Sequence, residues 1–322
     1  MTGDPVDPDA EELPLSLSPM LATPGDLPAD DSGWLYETKG GGVRALVAVT
    51  GGTDGRVRSW SRAGNDLTPQ FPELAPLGGA LRNTVLLDGE LVAFGPDGKP
   101  SFNQLQQRLG LAATSAVQRS RTIPVLLIVF DVLHLDGRST RRLPLEERRA
   151  LLDDLDLPDG AAWHRSSVHH DGAALADATR AAGLEGVVAK RLGSQYHPGV
   201  RSRAWIKVKH HQVDEFVIGG WVPGSGRRAT TIGSLLLGTR ASDDPADTRL
   251  HWIGRVGTGF AERDLQQLQH LLIPLATDVS PFDGPVPEPT AVYVLPQLRA
   301  RVEYHAFTPD GLLRFPTYRG IL

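Results

Sequence analysis

The apolar positions of this chain fall in short runs, and each run predicts an element. Residues 34–38 (WLYET) read as a strand. The runs at 45–49 and 57–60, with Thr53-Asp54-Gly55 between them, read as a hairpin. Residues 83–94 read as two strands or one bent strand, with Asp88-Gly89 at the turn. Residues 101–110 lead into a helix-like stretch, and the unbroken apolar run ending at Phe130 predicts a buried strand over 125–133. LEERRALLDDL (145–155) carries apolar residues at helical spacing behind Pro144, and 173–182 predicts a second helix. Strands follow at 186–190 and 204–209.

The pattern changes near residue 211. Beyond it the chain is punctuated by glycine: 216–240 reads as a hairpin with a long Gly/Ser/Arg loop, 250–260 as a strand and turn, 265–275 as a helix and 291–306 as strand-like. Short strands and one helix in this length suit a small Greek-key barrel of the oligonucleotide-binding type. Residues 1–12 show no periodicity and are expected to be a disordered acidic tail.

Composition adds limits. At 322 residues there is room for two domains with their own cores. No cysteine is present, which excludes disulfides and Cys-ligated zinc. No run is long enough to span a membrane and no secretory leader is visible, so a cytoplasmic location is expected. The net charge of −5 conceals an asymmetry: residues 1–38 hold nine acids and no Lys or Arg, leaving the rest of the chain at +4. Residues 186–213 hold six Lys or Arg and no acid, a strip that suits either a phosphate partner or a solvated face.

The candidate chemistry centres on Lys39, which follows the strand 34–38 and opens the run Gly40-Gly41-Gly42. A lysine becomes a nucleophile when a base takes its proton or its surroundings lower its pKa. Alone, this segment also reads as a surface turn. Downstream, WIKVK places Lys207 and Lys209 on one face of a strand, two ammonium groups about 7 Å apart that could hold a phosphate. Glu90 and Glu185 lie beside glycines at strand edges and could take a ribose hydroxyl or Mg²⁺. Phe130 could stack on a base or belong to the core. Lys190 falls out of phase with Glu185 in a regular strand and is left outside the site.

The segments ETKGGGVR (37–44), SRAGNDLTPQFPEL (61–74), LDGELVAF (87–94), FDVLHLDG (130–137), EGVVAKR (185–191), SQYHPGVRSRAWIKVK (194–209) and TPDGLLRFPTY (308–318), in this order, resemble ATP-dependent DNA ligases. The likeness is to the bacterial type represented by the ligase module of the end-joining ligase D and its stand-alone relatives. It implies an α+β architecture: an adenylation (nucleotidyltransferase, ATP-grasp-like) domain of antiparallel sheets flanked by helices over 13–211, then an oligonucleotide-binding (OB) barrel over 212–322. It implies DNA repair or recombination chemistry through a lysyl-AMP intermediate, with ATP and Mg²⁺ or Mn²⁺ as cofactors. Carried over by position, Lys39 resembles the adenylated nucleophile and Glu37 the adenine-amine contact. Arg44 and Arg62 resemble contacts to ribose or to the 5′-phosphate of the nick. Glu90 resembles the ribose-binding acid, Phe130 the adenine stacker, Glu185 the metal-linked acid, and Lys207 and Lys209 the α-phosphate lysines. Arg314 matches a C-terminal basic position that closes over ATP.

DNA contacts are expected from Arg201, Arg203, Arg227 and Arg228, acting on phosphates of nicks or ends without sequence preference. Ku-like and polymerase partners are expected as separate chains. One position departs from the pattern: Gly41 stands where the family has Asp. That departure supplies the alternative reading, a catalytically impaired DNA-end-binding protein on the same fold.

Overall fold

The computed structural model describes residues 11–157, 160, 162–224, 226, 231–242, 247–308 and 310–322. The chain forms two compact units, one ending at Lys209 and the other beginning at His210. In the first, the strands are β1 (Leu21–Pro24), β2 (Trp34–Thr38), β3 (Val43–Thr50), β4 (Arg56–Ser61), β5 (Val85–Ala93), β6 (Val125–Leu135), β7 (Arg138–Ser139), β8 (Trp163–Arg165), β9 (Gly186–Arg191) and β10 (Arg201–Lys209). Its helices are α1 (Leu77–Ala80), α2 (Phe102–Gln106), α3 (Ala113–Ser120), α4 (Leu145–Asp154) and α5 (Gly172–Ala181).

These strands make two sheets. One has the order β1-β10-β9-β2; the other runs β4-β3-β5-β6-β7, with β8 parallel to β6. The second sheet is apolar on both faces. Val47, Val49, Leu87, Leu91 and Val129 face a core shared with α2 and the C-terminal end of α4. Leu46, Leu86 and Phe130 face a second core with Met20, Tyr196 and Trp205, which joins the two sheets. Helices α2 and α5 start on side-chain caps, Ser101 accepting from the Gln104 amide and Asp171 from the Ala174 amide. Helix α4 starts behind Pro144 and carries Glu146 and Glu147 in its first turn.

Two expectations are corrected. Asp88-Gly89 is not a turn: β5 runs unbroken, and the irregularity is absorbed as register shifts against β6 at Leu86/Leu87 and Asp88/Gly89. Gly89 is required there because a Cβ would lie 2.8 Å from the Ile128 carbonyl. The tail expected to be disordered through residue 12 is ordered at Glu11, whose amide donates to Gly137 O (2.7 Å) and whose carboxylate pairs with Arg141 at 2.6 Å. From there residues 13–20 cross the first unit as a strap. Leu13 and Leu17 pack on the inter-sheet core, and the Leu17 carbonyl accepts from Trp60 Nε1 at 2.8 Å.

The second unit contains β11 (Gln212–Pro223), β12 (Ile232–Arg240), β13 (Leu250–Val256), α6 (Glu262–Leu272), β14 (Ala276–Thr277), β15 (Val292–Val294), β16 (Arg299–Tyr304), β17 (Ala306–Phe307), β18 (Leu313–Arg314) and β19 (Thr317–Ile321). Strand β11 is long enough to change partners: its first half pairs with β16 and its second half with β12 and β15, so the sheet curls. Leu265, Leu268 and Leu272 of α6 close the core against Phe216, Ile218, Leu235 and Val302. This is an OB-like architecture. Among the described residues no helix is long and apolar enough to cross a membrane.

Among the described residues of the first unit, one ion pair is fully buried. Arg148 Nε and Nη2 donate to Asp131 Oδ1 and Oδ2, each at 2.8 Å, with neither side chain exposed. Arg148 Nη1 completes its bonding on the carbonyls of Leu143 (2.8 Å) and Ser194 (2.9 Å). Arg148→Met leaves Asp131 buried without its cation and is expected to cost about 3–5 kcal/mol in a denaturant titration. Arg180→Ala, which breaks an exposed pair with Asp177, should cost under about 1 kcal/mol.

Candidate nucleotide site

A cleft opens between the facing surfaces of the two sheets of the first unit. It is lined by Glu37, Lys39, Arg44, Arg62, Glu90, Phe130, Lys190, Arg201, Trp205 and Lys207, with Leu21 and Ala22 of β1 at one side. Strand register explains the grouping. Across β2, β9 and β10, Glu37 lies opposite Val188 and Val188 opposite Lys207; Leu35 lies opposite Lys190 and Lys190 opposite Trp205. One sheet face therefore presents Glu37, Lys190, Trp205 and Lys207 together. On the other sheet Arg44 lies opposite Glu90, and Glu90 opposite Ile128.

Lys39 sits where β2 ends, its amide held by the Gly186 carbonyl at 2.9 Å. Its Nζ donates to Glu185 Oε2 at 2.6 Å and to the Gly40 carbonyl at 3.2 Å. The other oxygen of Glu185 takes Lys209 Nζ at 3.0 Å. One carboxylate thus bridges two of the predicted lysines. Lys207, on the cleft wall, is held below the ordinary lysine pKa by burial first, then by Lys209, Arg201 and Lys39. A wall crowded with cations at that point has the electrostatics of a phosphate subsite.

The three glycines after Lys39 are not equivalent. A Cβ at Gly42 would stand 2.0 Å from the Leu91 carbonyl, so only glycine fits. At Gly40 it would press on the Glu90 carboxylate at 3.2 Å. At Gly41 it would meet only Glu185 Oε2 at 3.8 Å and Pro100 at 4.0 Å, ordinary contacts, so the position that lacks the family Asp admits a Cβ. The Gly42 amide donates to Glu90 Oε1 at 2.7 Å.

Lys190 is the residue the sequence reading misplaced. Glu185 does not lie in the strand: β9 begins at Gly186, and Glu185 reaches the site from ahead of it, so strand phase does not separate the two. Lys190 is almost fully buried, pairs with Glu37 Oε2 at 2.7 Å, and stands 4.0 Å from the Phe130 ring centre and 4.5 Å from that of Trp205. Burial lowers its pKa and Glu37 opposes that shift. Among the described residues, buried Glu37 Oε1 has no hydrogen-bond donor, Arg149 Nη1 being 3.8 Å away, and buried Trp205 Nε1 has no acceptor.

Phe130 is both things the sequence left open: it lines the cleft and belongs to the inter-sheet core. Asp88, which the sequence pattern assigns with Gly89 to a turn, is fully buried and grips Arg44, Nη2 to Oδ2 at 2.6 Å. Arg201 lines the cleft and donates to the Ala22 carbonyl at 2.6 Å. Arg203 is exposed on β10 and does not line the cleft. Arg314 belongs to the second unit, on β18, with its guanidinium 5.3 Å from the Phe315 ring. Arg227 and Arg228 lie outside the described residues.

Glu90 supplies a pH prediction. Burial raises its pKa above the ordinary glutamate value, against the pull of Lys39, the Gly42 amide and Arg44. A carboxyl raised on folding favours the native state below its ordinary pKa, and that contribution is lost as pH rises through the folded value. Glu90→Gln, which keeps an acceptor for Gly42, should therefore unfold at a higher temperature than wild type at pH 7. The two should be equal near pH 3.5; a difference independent of pH would refute the burial argument.

Residues 19–209 match the family described as ATP dependent DNA ligase domain, and residues 228–321 match the ATP dependent DNA ligase C terminal region. The multifunctional non-homologous end joining protein LigD of Mycobacterium bovis is 40% identical over 311 residues. The match covers 95% of this chain but 38% of that protein, so the chain spans well under half of its relative's length. The crystal structure of the ligase domain of M. tuberculosis LigD is 37% identical with a TM-score of 0.55, covering 96% of this chain and 95% of that one. A mycobacterial DNA ligase D complexed with ATP and MES is 38% identical with a TM-score of 0.55 over the same shares. With two family matches spanning both units and this likeness to ligase domains, the chain belongs to the ATP-dependent DNA ligases, of the LigD ligase-module type.

Proposed function

We propose that the chain is a DNA ligase that seals nicks or broken ends through AMP carried on Lys39. The observation that carries the proposal is the Lys39 amine, fixed at 2.6 Å from the Glu185 carboxylate in the cleft that Glu37, Glu90, Phe130 and Lys207 share. In the first step Lys39 Nζ attacks the α-phosphorus of ATP. The N–P bond forms, the bond to the β-phosphate oxygen breaks, and pyrophosphate leaves. Glu185 Oε2 is placed to accept the ammonium proton. Lys207 is placed to neutralise charge on the phosphate. Glu37 Oε1, an acceptor without a donor, suits the exocyclic amine of adenine.

In the second step the 5′-phosphate of the DNA attacks the AMP phosphorus and releases Lys39. In the third the 3′-hydroxyl attacks the 5′-phosphate and AMP leaves, joining the strand. Arg62, exposed at the cleft rim, and Arg203, exposed on β10, suit the DNA backbone. The mycobacterial relative is named as a non-homologous end joining protein, which supports reading this activity as end joining, and Ku-like and polymerase partners belong to the same proposal.

The donors fit a magnesium or manganese ion. Glu90 and Glu185 are hard oxygen ligands on either side of Gly40-Gly41, a set that suits a cation shared between one or two carboxylates and substrate phosphates. Such an ion withdraws charge from those phosphates when bound.

Gly41 does not by itself favour an inert binder, because Glu185 already provides the Lys39 amine with a carboxylate. Incubation with ATP labelled on the α-phosphate should yield a covalent protein adduct that Lys39→Ala abolishes. Gly41→Asp, whose Cβ makes only ordinary contacts, should speed adduct formation at least tenfold, about 1.4 kcal/mol of barrier. No adduct in wild type together with intact nick binding would replace the ligase by the end-binding reading.

A further inference from the structure

The guanidinium of Arg44 is held on three sides. Nε and Nη2 donate to the two oxygens of Asp88, and Nη2 also reaches the Met20 carbonyl at 3.3 Å. Its Cζ lies 4.6 Å from the Phe130 ring centre and 5.4 Å from that of Trp205. Three of its five N–H groups are thereby committed, and the two on Nη1 have no protein acceptor among the described residues. Arg44 lines the cleft, so Nη1 is the part of it left for a ligand.

The grip on Arg44 depends on a residue far away in sequence. The Tyr196 hydroxyl donates to Asp88 Oδ2 at 2.6 Å, the same oxygen that takes Arg44 Nη2. That hydroxyl also accepts from the Met20 amide at 2.9 Å. Met20 is fully buried and is the last strap residue before β1, whose Leu21 and Ala22 line the cleft; its sulfur accepts from the His197 amide at 3.2 Å. Asp88 and Met20 have no exposure, and Tyr196 has almost none.

We infer that Tyr196 is a positioning residue for the nucleotide: its hydroxyl locks Asp88 and the strap at Met20 into the arrangement that aims Arg44 Nη1 at bound ATP. The inference rests on the ligase reading above only for the identity of the ligand. Burial and the neighbouring Asp88 charge hold the Tyr196 pKa well above its ordinary value, so the hydroxyl stays a donor at any working pH. A tyrosine that merely filled the core would need no such bond, and the phenyl ring, which meets Trp205 edge to face at 5.7 Å, would serve equally well as phenylalanine.

The test is a double-mutant cycle on nucleotide affinity, read by calorimetry with α,β-methylene ATP, whose α–β bridge Lys39 cannot break. Four chains are compared: wild type, Tyr196→Phe, Arg44→Ala and the double variant. Tyr196→Phe is expected to weaken binding about tenfold, and to have no further effect once Arg44 is gone. Melting temperatures recorded alongside will fall for Tyr196→Phe in both backgrounds, which a purely structural role also predicts; the coupling in affinity separates the two roles. The inference is overturned if Tyr196→Phe binds as wild type does, or weakens binding equally with and without Arg44. Wild type that binds the analogue but forms no adduct with ATP would sink the ligase reading while this cycle still decides the role of Tyr196. Wild type that binds no nucleotide would overturn both.

Discussion

The site depends on one carboxylate. Glu185 takes Lys39 on one oxygen and Lys209 on the other, and it does so from the residue just ahead of β9, beyond the alternation of the strand. Without it, the cations of Lys39, Lys207 and Lys209 would repel one another at the mouth of the cleft. With it, the amine is positioned beside a group that can accept its proton, and the remaining positive charge is left for phosphate. The backbone just after Glu185 is fixed: the Lys39 amide is bound to the Gly186 carbonyl, and Gly186 adopts φ 148°, where a Cβ would collide with Val208 O at 2.0 Å.

The walls around that carboxylate are built from buried charge rather than from apolar packing alone. Glu37–Lys190, Arg44–Asp88 and Arg148–Asp131 are each nearly or wholly closed off on at least one partner. Such pairs add little net stability, but losing one member leaves an uncompensated charge. Their value here is positional. Each ties a residue on the cleft, or next to one, to a different strand or, for Asp131, to helix α4. The strap at 13–20 adds a further tie, running from Trp60 to Tyr196 and Arg44 through the backbone of Leu17 and Met20.

Much of this was legible in the chain. Glu37 and Lys207 share a sheet face as strand alternation predicts, and Lys39 and Glu185 join them from just beyond β2 and just ahead of β9. What failed did so for physical reasons. Lys190 was excluded by a phase rule that holds only inside a strand, and Glu185 is not inside one. Asp88-Gly89 looked like a turn because the dipeptide favours turns, yet the glycine serves a close approach of β6 and the aspartate grips Arg44. Tyr196 carried no sequence signal, since its partners lie 108 and 176 residues away. Glu11 was assigned to a disordered tail by composition, and a single pair with Arg141 and a backbone bond to Gly137 hold it.

The account rests on the claim that the clamped amine, and no neighbouring lysine, is the nucleophile. Three other lysines, Lys190, Lys207 and Lys209, stand on or beside the same cleft. Peptide mapping by fragmentation mass spectrometry, after incubation with ATP and magnesium, locates the nucleotide directly. AMP on Lys39 alone is the predicted result; AMP on any of the other three, with Lys39 unmodified, would contradict it.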